Sequence, residues 1–368
     1  MTEWRRYRKK IAIILLGAAT FIIAAISFSP FRKHQLEAGA FSNFNVLLIT
    51  LDTTRRDHLP MYGYRGVKTP NLDHLAASSY VFEDAVSHAP LTLPAHTSIL
   101  TGMLPPAHGV RDNTGFFVDS ELLTLPEILK SEGYNTAAFV SAFVLDSRWQ
   151  LNQGFDVYHD YFSLEEFNQL TSQDAQRSAE ETGLEAIQWL RDQKERPFFS
   201  WVHFYDPHDP YDPPEPYKTD YSSRPYDGEI AYMDASIGKL LDAVSSSALK
   251  DRTIIIVTAD HGEGLGQHQE DTHAIFVYGT TQRVPLLIHV PGARANRVSD
   301  LVRHVDLSPT ILDLLGIETN HQMQGSSLIP MMNGSRDAKR SAYMESIYAD
   351  LHFGWSPVRS LVTSRFKY

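Results

Sequence analysis

Residues 45–55, NVLLITLDTTR, decide the fold. Seven nearly continuous apolar or β-branched residues run straight into Asp52, the pattern of a strand buried on both faces that ends in a polar turn. The pattern returns at 135–141 (NTAAFVS), 197–206 (PFFSWVHFYD), 253–259 (TIIIVTA) and 284–290 (VPLLIHV). Helical periodicity fills the intervals, at residues 70–78, 122–132, 163–193, 228–246 and 305–315. Strands alternating with helices predict an α/β domain: a mainly parallel sheet with helices on both faces. The stretch 206–227, DPHDPYDPPEPYKTDYSSRPYD, reads as a long loop, a class often tied to function.

In such sheets ligands collect beyond the carboxyl ends of the strands, and there the polar residues concentrate. Asp52-Thr53-Thr54-Arg55 follows the first strand, Asp260-His261-Gly262-Glu263 follows TIIIVTA, and Asp206-Pro207-His208-Asp209 follows the strand before it. One acidic residue after one strand is ordinary turn chemistry. Three such ends, joined by the stretch 91–102, LTLPAHTSILTG, are not. Pro94 suits the first turn of a helix, residues 95–100 continue it, and Gly102 ends it. Thr92 is then expected just before the helix N-terminus, where free N–H groups and the macrodipole favour an anion. The competing role for Thr92 is a simple N-cap.

Asp52, Asp260 and His261, with the Thr92 oxygen, supply three oxygens and one nitrogen for a divalent cation. That mixture favours zinc or manganese and accommodates calcium or magnesium. Coordination would lower the pKa of the Thr92 hydroxyl and make it a nucleophile. Of the 16 histidines, His203, His208, His261, His268 and His273 crowd the strand-end regions. They permit a second metal site, formed by Asp206, His203 and His268, or a set of donors to substrate oxygens. Spacing leaves that choice open.

The 368 residues contain no cysteine, which excludes disulfides, thiolate metal sites and a cysteine nucleophile. The first ten residues carry a net +4 and the whole chain −11, so the remainder stands at −15. That acidity argues against nucleic acid as a partner. Residues 11–29, IAIILLGAATFIIAAISFS, are uncharged, long enough to span a bilayer, and preceded by RRYRKK. Ala38-Gly39-Ala40 has the small-residue pattern of a leader cleavage site but lies far beyond the apolar run, so an uncleaved anchor is expected. The expected order is a cytoplasmic basic segment (1–10), a transmembrane anchor (11–29), a linker (30–43) and a catalytic domain (44–368). This makes a single-pass inner-membrane protein with its catalytic domain in the periplasm.

Over nearly all of 44–368 the chain resembles the sulfatase branch of the alkaline phosphatase superfamily. The family's opening strand and metal aspartate resemble NVLLITLDTTRRDHLPMYGY, its nucleophile helix TLPAHTSILTG, and its paired metal ligands TADHGEGLGQH. YDGEIAYMDASIGKLLDAV, VPLLIHVPG and VDLSPTILDLLGI match further stretches. The resemblance implies metal positions at Asp52, Thr92, Asp260 and His261, with Thr92 also the nucleophile. It implies substrate contacts at His208 and at His273, which falls near a family lysine, and His96 joins them as a candidate.

The departures shape the expected chemistry. Sulfatases proper convert the Cys or Ser of C/S-x-P-x-R to formylglycine, whereas this chain has Thr92, Leu93, Pro94, Ala95 and His96. The second aspartate of the family's opening pair is Thr53. An unmodified threonine resembles the relatives that act on phosphate. The expected function is therefore a metal-dependent hydrolase or transferase of phosphoesters, lipid- or glycan-linked, working through a Thr92 covalent intermediate. A sulfatase in the strict sense and a non-catalytic metal-binding relative are the alternatives. The family usually continues past VRSLVTSRFKY, so the expectation is either a protein shorter than its relatives or a fragment truncated in its C-terminal part.

Overall fold

The computed structural model describes residues 35–162, 176–318 and 322–368. Among these no helix is long and apolar enough to cross a membrane. The apolar run 11–29 and residues 163–175 of the predicted helix 163–193 lie outside them.

The apolar run predicted first becomes β1 (Asn45–Leu51), buried along its whole length. It lies between β5 (Phe198–Phe204) and β6 (Thr253–Ala259), parallel to both, and these are buried just as completely. Beyond β5, β3 (Asn135–Phe139) and β4 (Val157–His159) continue the parallel array. On the β6 side the direction changes. β8 (Leu286–His289) runs antiparallel to β6 and to β2 (Tyr80–Val86), and β2 also pairs with β7 (Arg283–Val284) and, in parallel, with β9 (Asn296–Arg303). The main sheet is mixed: among the described residues five of its eight pairings are parallel and three, all through β2 or β8, are antiparallel. Pro285 divides the predicted strand 284–290 because it cannot donate to a ladder. A hairpin of β10 (Ser341–Ser346) and β11 (Val358–Thr363) forms a separate small sheet.

The helices used below are α1 (Pro70–Ala76), α2 (Thr92–Thr101), α3 (Leu125–Ser131), α4 (Ala179–Arg191), α5 (Pro225–Ser245), α6 (Leu307–Leu315) and α7 (Tyr348–Phe353). α3 and α4 begin with capping boxes, Thr124 with Glu127 and Ser178 with Glu181, which satisfy N–H groups that a helix start leaves unpaired.

One buried charge cluster ties the helical layer to the hairpin. Asp306, fully buried just before α6, accepts hydrogen bonds from the Ser326 N–H (3.0 Å), the Arg303 N–H (2.9 Å) and the Arg303 guanidinium (2.8 Å), and it also pairs with Arg340. Removing one partner of such a cluster strands the others in a dry interior. Asp306→Ala is expected to cost about 3–5 kcal/mol of unfolding free energy in a denaturant titration. A loss below about 1 kcal/mol would mean that the cluster is solvated like a surface pair.

Candidate active site

The sheet register builds the site. Leu51 of β1 pairs with Ala259 of β6, so the next residue of each strand, Asp52 and Asp260, emerges side by side. Both backbones are fixed there: the Asp52 N–H donates to the Phe204 carbonyl (2.9 Å) and the Asp260 N–H to the Leu51 carbonyl (3.2 Å). Arg55, also buried, donates to the carbonyls of Glu263 and Gly264 at 3.2 and 3.4 Å and ties the two strand ends together. Gly262 is required by space, since a Cβ there would lie 2.0 Å from the Thr280 carbonyl oxygen.

Asp52, Asp260 and His261 are each fully buried, and their ligating atoms lie within 4.8 Å of one another. Oδ1 of Asp260 accepts from the N–H of His261 (2.7 Å) and of Thr53 (3.2 Å). Its Oδ2, and both oxygens of Asp52, have no hydrogen-bond partner among the described residues. The Nδ1 of His261 lies 2.9 Å from the Gly262 carbonyl, which only accepts, so Nδ1 carries the proton. The Nε2 lone pair therefore points at Thr92 Oγ1 (3.4 Å), Asp260 Oδ2 (3.5 Å) and Asp52 Oδ1 (3.8 Å). A bare lone pair facing unpaired carboxylate oxygens is repulsive by itself. These donors fit a divalent cation, the group the resemblance drawn from the sequence implies.

The titration directions agree. Burial raises the Asp52 carboxyl, but His203, His208 and His261 outweigh it and hold Asp52 below the usual range. Burial and the neighbouring Asp52 charge push Asp260 well above it. Burial, with His273 nearby, lowers His261 to about 3, so its imidazole is neutral and able to ligate.

Thr92 is not an N-cap. Leu91, in extended conformation, precedes the helix and Thr92 is its first residue, so the hydroxyl is free to face His261. All ten residues of α2 are buried, and Gly102 ends the helix at φ 66° as expected. The Leu93 N–H donates to Asn113 Oδ1 at 2.9 Å.

The other histidines divide. His208 and His273 line, with Thr92, a cleft of about 300 Å³, and their rings meet edge to face at 5.3 Å. The Nδ1 of His208 donates to the Asp209 carbonyl (2.7 Å), and its ring stacks on Tyr205. His273 has its Nδ1 3.4 Å from buried Glu263; burial lowers its pKa, but Glu263 outweighs this and raises it. His96 does not line the cleft. Its Nδ1 donates to the Thr92 carbonyl (2.8 Å) and its Nε2 accepts from Thr50 Oγ1 (2.9 Å), which itself accepts from Trp201. It fixes α2 to β1 from beneath, with both nitrogens engaged, although its ligand atoms and those of His203 and Asp260 also lie within 4.8 Å of one another.

The second metal site also separates. His203 is buried with Nε2 3.4 Å from Asp52 Oδ2, beside the first cluster. Asp206 accepts from the Ala179 N–H at the start of α4 (3.0 Å), and burial pushes its carboxyl up to about 6. His268 is exposed and stacks on Tyr278. The sequence reading passed over Glu263, Asn113, Thr50 and Trp201. Only Glu263 carried a signal, standing inside the D-H-G-E turn.

The sulfatase family model matches residues 44–317, and the model for the N-sulphoglucosamine sulphohydrolase C-terminal region matches residues 272–368. The chain belongs to the sulfatase family, whose members hydrolyse ester bonds and typically use a divalent metal. It is 27% identical to the ulvan-active sulfatase of Formosa agariphila, over 88% of this chain and 72% of that protein. It is 28% identical to human N-acetylgalactosamine-6-sulfatase, over 80% and 67%. The phosphonate monoester hydrolase of Agrobacterium radiobacter has the same fold, with a TM-score of 0.74 at 23% identity over 88% of this chain and 86% of that one. So does an enzyme solved with its substrate D-glucosamine-2-N,6-O-disulfate, with a TM-score of 0.75 at 20% identity over 89% and 88%.

Cation binding should register as stability. At a free metal concentration a thousand times Kd, zinc or manganese is expected to stabilise the chelator-treated protein by about 4 kcal/mol in thermal unfolding. Asp260→Asn, which mimics the protonated carboxyl, should leave metal-free stability nearly unchanged and abolish that gain. A wild-type protein indifferent to both metal and chelator would sink the cation reading of this cluster.

Proposed function

We propose that the protein is a metal-dependent hydrolase of monoanionic phosphoesters, diesters and phosphonate monoesters foremost, working through a covalent Thr92 ester. One observation carries the reading: an unmodified threonine hydroxyl stands 3.4 Å from the Nε2 of His261 in a buried cluster of unpaired donors. Asp52, Asp260, His261 and Thr92 would hold the cation, zinc or manganese by donor type. When bound, such a cation lowers the pKa of the Thr92 hydroxyl and offsets charge on the group being transferred.

The chain's own residues supply the remaining steps. Thr92 Oγ1, its proton released to solvent, attacks the central atom; a new Oγ1–P bond forms, and the P–O bond to the leaving alcohol breaks. His273, held by Glu263, donates a proton to the departing oxygen. His208, with Nδ1 engaged by Asp209, offers Nε2 to take a proton from the water that then cleaves the Thr92 ester. An alcohol in place of that water would make the same site a transferase.

Charge supports a monoanion. Two carboxylates balance a divalent cation, and the described residues lining the cleft include no Lys or Arg, only His273 as a proton donor, to balance a dianion. Threonine also selects against sulfate. A hydrated aldehyde can expel a bound group by breaking its own C–O bond, whereas a threonine ester must be cleaved at the central atom, a displacement that phosphorus accepts. Sulfate esters remain the second reading, supported by the sulfatase relatives. The five Arg/Lys before the uncharged run 11–29 support a single anchor with the catalytic domain outside the cytoplasm.

Zinc- or manganese-loaded protein should cleave a nitrophenyl phosphodiester at least about ten-fold faster, in kcat/KM, than the dianionic monoester, as one uncompensated charge at short range costs over 1.4 kcal/mol. Thr92→Ala should lose about 10³-fold or more in kcat while keeping the fold. Acid quench should trap an adduct on the Thr92 peptide. Activity retained in Thr92→Ala would end the covalent reading, and turnover of sulfate alone would favour the second.

A further inference from the structure

Exposed apolar side chains on this protein are not scattered. Among the described residues eleven large ones are exposed, and six of them, Leu351, Phe353, Trp355, Leu361, Phe366 and Tyr368, fall within residues 351–368. The same stretch carries Arg359, Arg365 and Lys367 and no Asp or Glu, in a chain whose net charge is −11. The β10–β11 hairpin explains why these side chains face outward. Its inner side clusters Ala342, Met344 and Val362 with Val86 of β2 and Leu301 of β9. Alternation along β11 then turns Arg359 and Leu361 out, while Ser360 and Val362 are buried. Leu361 and Tyr368 exchange both backbone hydrogen bonds, at 3.1 and 3.0 Å, so their side chains rise from the same face. The Phe366 ring is 6.1 Å from that of Tyr368, and the Arg365 guanidinium lies 5.3 Å from the Phe366 ring. Lys367 turns inward instead, its Nζ donating to the Val277 carbonyl. Glu345, the carboxylate opposite Arg359, is already held by Arg111 at 2.6 and 2.7 Å. At the other end of the hairpin the Trp355 N–H donates to the Ala349 carbonyl of α7 (3.0 Å), and the Trp355 and Phe353 rings are 5.4 Å apart.

We infer that residues 351–368 form one face that docks on an anionic phospholipid surface. Aromatic rings with arginine beside them are the side chains that settle at the boundary between headgroups and acyl chains. Headgroup phosphates supply the negative charge that the outward Arg359 and Arg365 lack. A second copy of the face would instead set these arginines against the same arginines, with no acid in the stretch to pair them. Six residues separate the uncharged run 11–29 from buried Leu36, whose backbone N–H and carbonyl are both held by the Asn333 side chain at 2.8 Å. A bilayer entered by that run would stay a short tether away from the domain. This last support rests on the anchor proposed above; the charge and the exposed rings stand without it. The helix that carries Leu351 and Phe353 also lends Tyr348 and His352 to the cleft, so docking would hold a cleft-lining helix at the lipid surface.

Tryptophan quenching tests the face on the full chain reconstituted in bilayers with and without phosphatidylglycerol. Bromine on the acyl chains quenches only an indole that reaches them. Two reporters are read as differences, which cancels the tryptophans elsewhere in the chain. One is Trp355 against Trp355→Phe; the other is Tyr368→Trp added to Trp355→Phe, against Trp355→Phe alone. Both should be quenched about two-fold or more in brominated phosphatidylglycerol bilayers, and Arg359→Glu with Arg365→Glu should abolish this. High salt, which screens the same charges without any substitution, should weaken it. The substituted positions are all exposed, so the fold should stand, and circular dichroism checks it. No quenching, quenching of one reporter alone, or quenching indifferent to phosphatidylglycerol and to the arginines would overturn the face. So would reporters shielded by rising protein concentration and not by lipid, the mark of a second copy. A chain that inserts while its reporters stay bright keeps the anchor and rejects the face. A chain that washes off the bilayers, yet is quenched on added phosphatidylglycerol vesicles, rejects the anchor and keeps the face.

Discussion

Two carboxylates forced side by side in a dry interior are the constraint around which this molecule is arranged. Asp52 and Asp260 follow directly upon paired residues of two adjacent parallel strands, so neither can move away without breaking the register of β1 and β6. Burying an unpaired charge costs several kcal/mol, and placing a second beside it costs more. The sheet can impose this because β1, β5 and β6 expose none of their residues and form the middle of one continuous core. The strain is not relieved by protein hydrogen bonds: three of the four carboxylate oxygens lack any among the described residues. Proton uptake on Asp260 relieves it in one way and a divalent cation in another. The second would leave both carboxylates charged, and Asp52, Asp260 and His261 would hold a Lewis acid beside Thr92.

The surroundings keep the competing possibilities out. Thr53, where the family has a second aspartate, takes a positive φ of 46° and donates its hydroxyl to the Pro207 carbonyl, so its side chain leaves the cluster. The remaining donors are two carboxylates, an imidazole and a hydroxyl, fewer and softer than the six to eight oxygens calcium prefers. His96 lies against Asp260 and is held there by hydrogen bonds at both ring nitrogens. A ring fixed between Thr92 and Thr50 in this way acts as a spacer, setting the distance from α2 to the sheet.

The carboxyl ends of β1, β5 and β6 were legible in the sequence because a long apolar run ending in Asp has one natural place in an α/β sheet. β6 matches its predicted bounds, and α1, α3 and α6 lie within theirs. What was not legible depends on side-chain direction and on weak patterns. β2 carries Glu83 and Asp84 in its middle and β9 carries Arg297, Asp300 and Arg303, so neither shows the apolar signature of a strand, yet they pair with each other. Among the histidines, proximity in sequence did not predict proximity in space. His268 follows His261 by seven residues and ends exposed on Tyr278, whereas His273, five further on, returns to within 4.4 Å of the His261 ring. Asp206 belongs to the same strand-end set as Asp52 but is consumed at the start of α4. A polar residue at a strand end is therefore a candidate only until its hydrogen bonds are known.

The position of Thr92 follows from the same accounting. A threonine that capped α2 would have spent its hydroxyl on the helix's own N–H groups, and a capped hydroxyl is a poor nucleophile. By making Leu91 the last extended residue, the chain moves Thr92 one place into the helix and frees its oxygen to face His261. That arrangement leaves the first N–H groups of α2 without a cap, a cost only partly offset by Asn113, whose side chain accepts from Leu93. What holds the helix in place is burial: every one of its ten residues is enclosed, and Gly102 lets it stop sharply against the following turn. Rigidity is the return for the proposed mechanism, because a nucleophile on a fully packed helix would meet the transferred group with little motion left to lose.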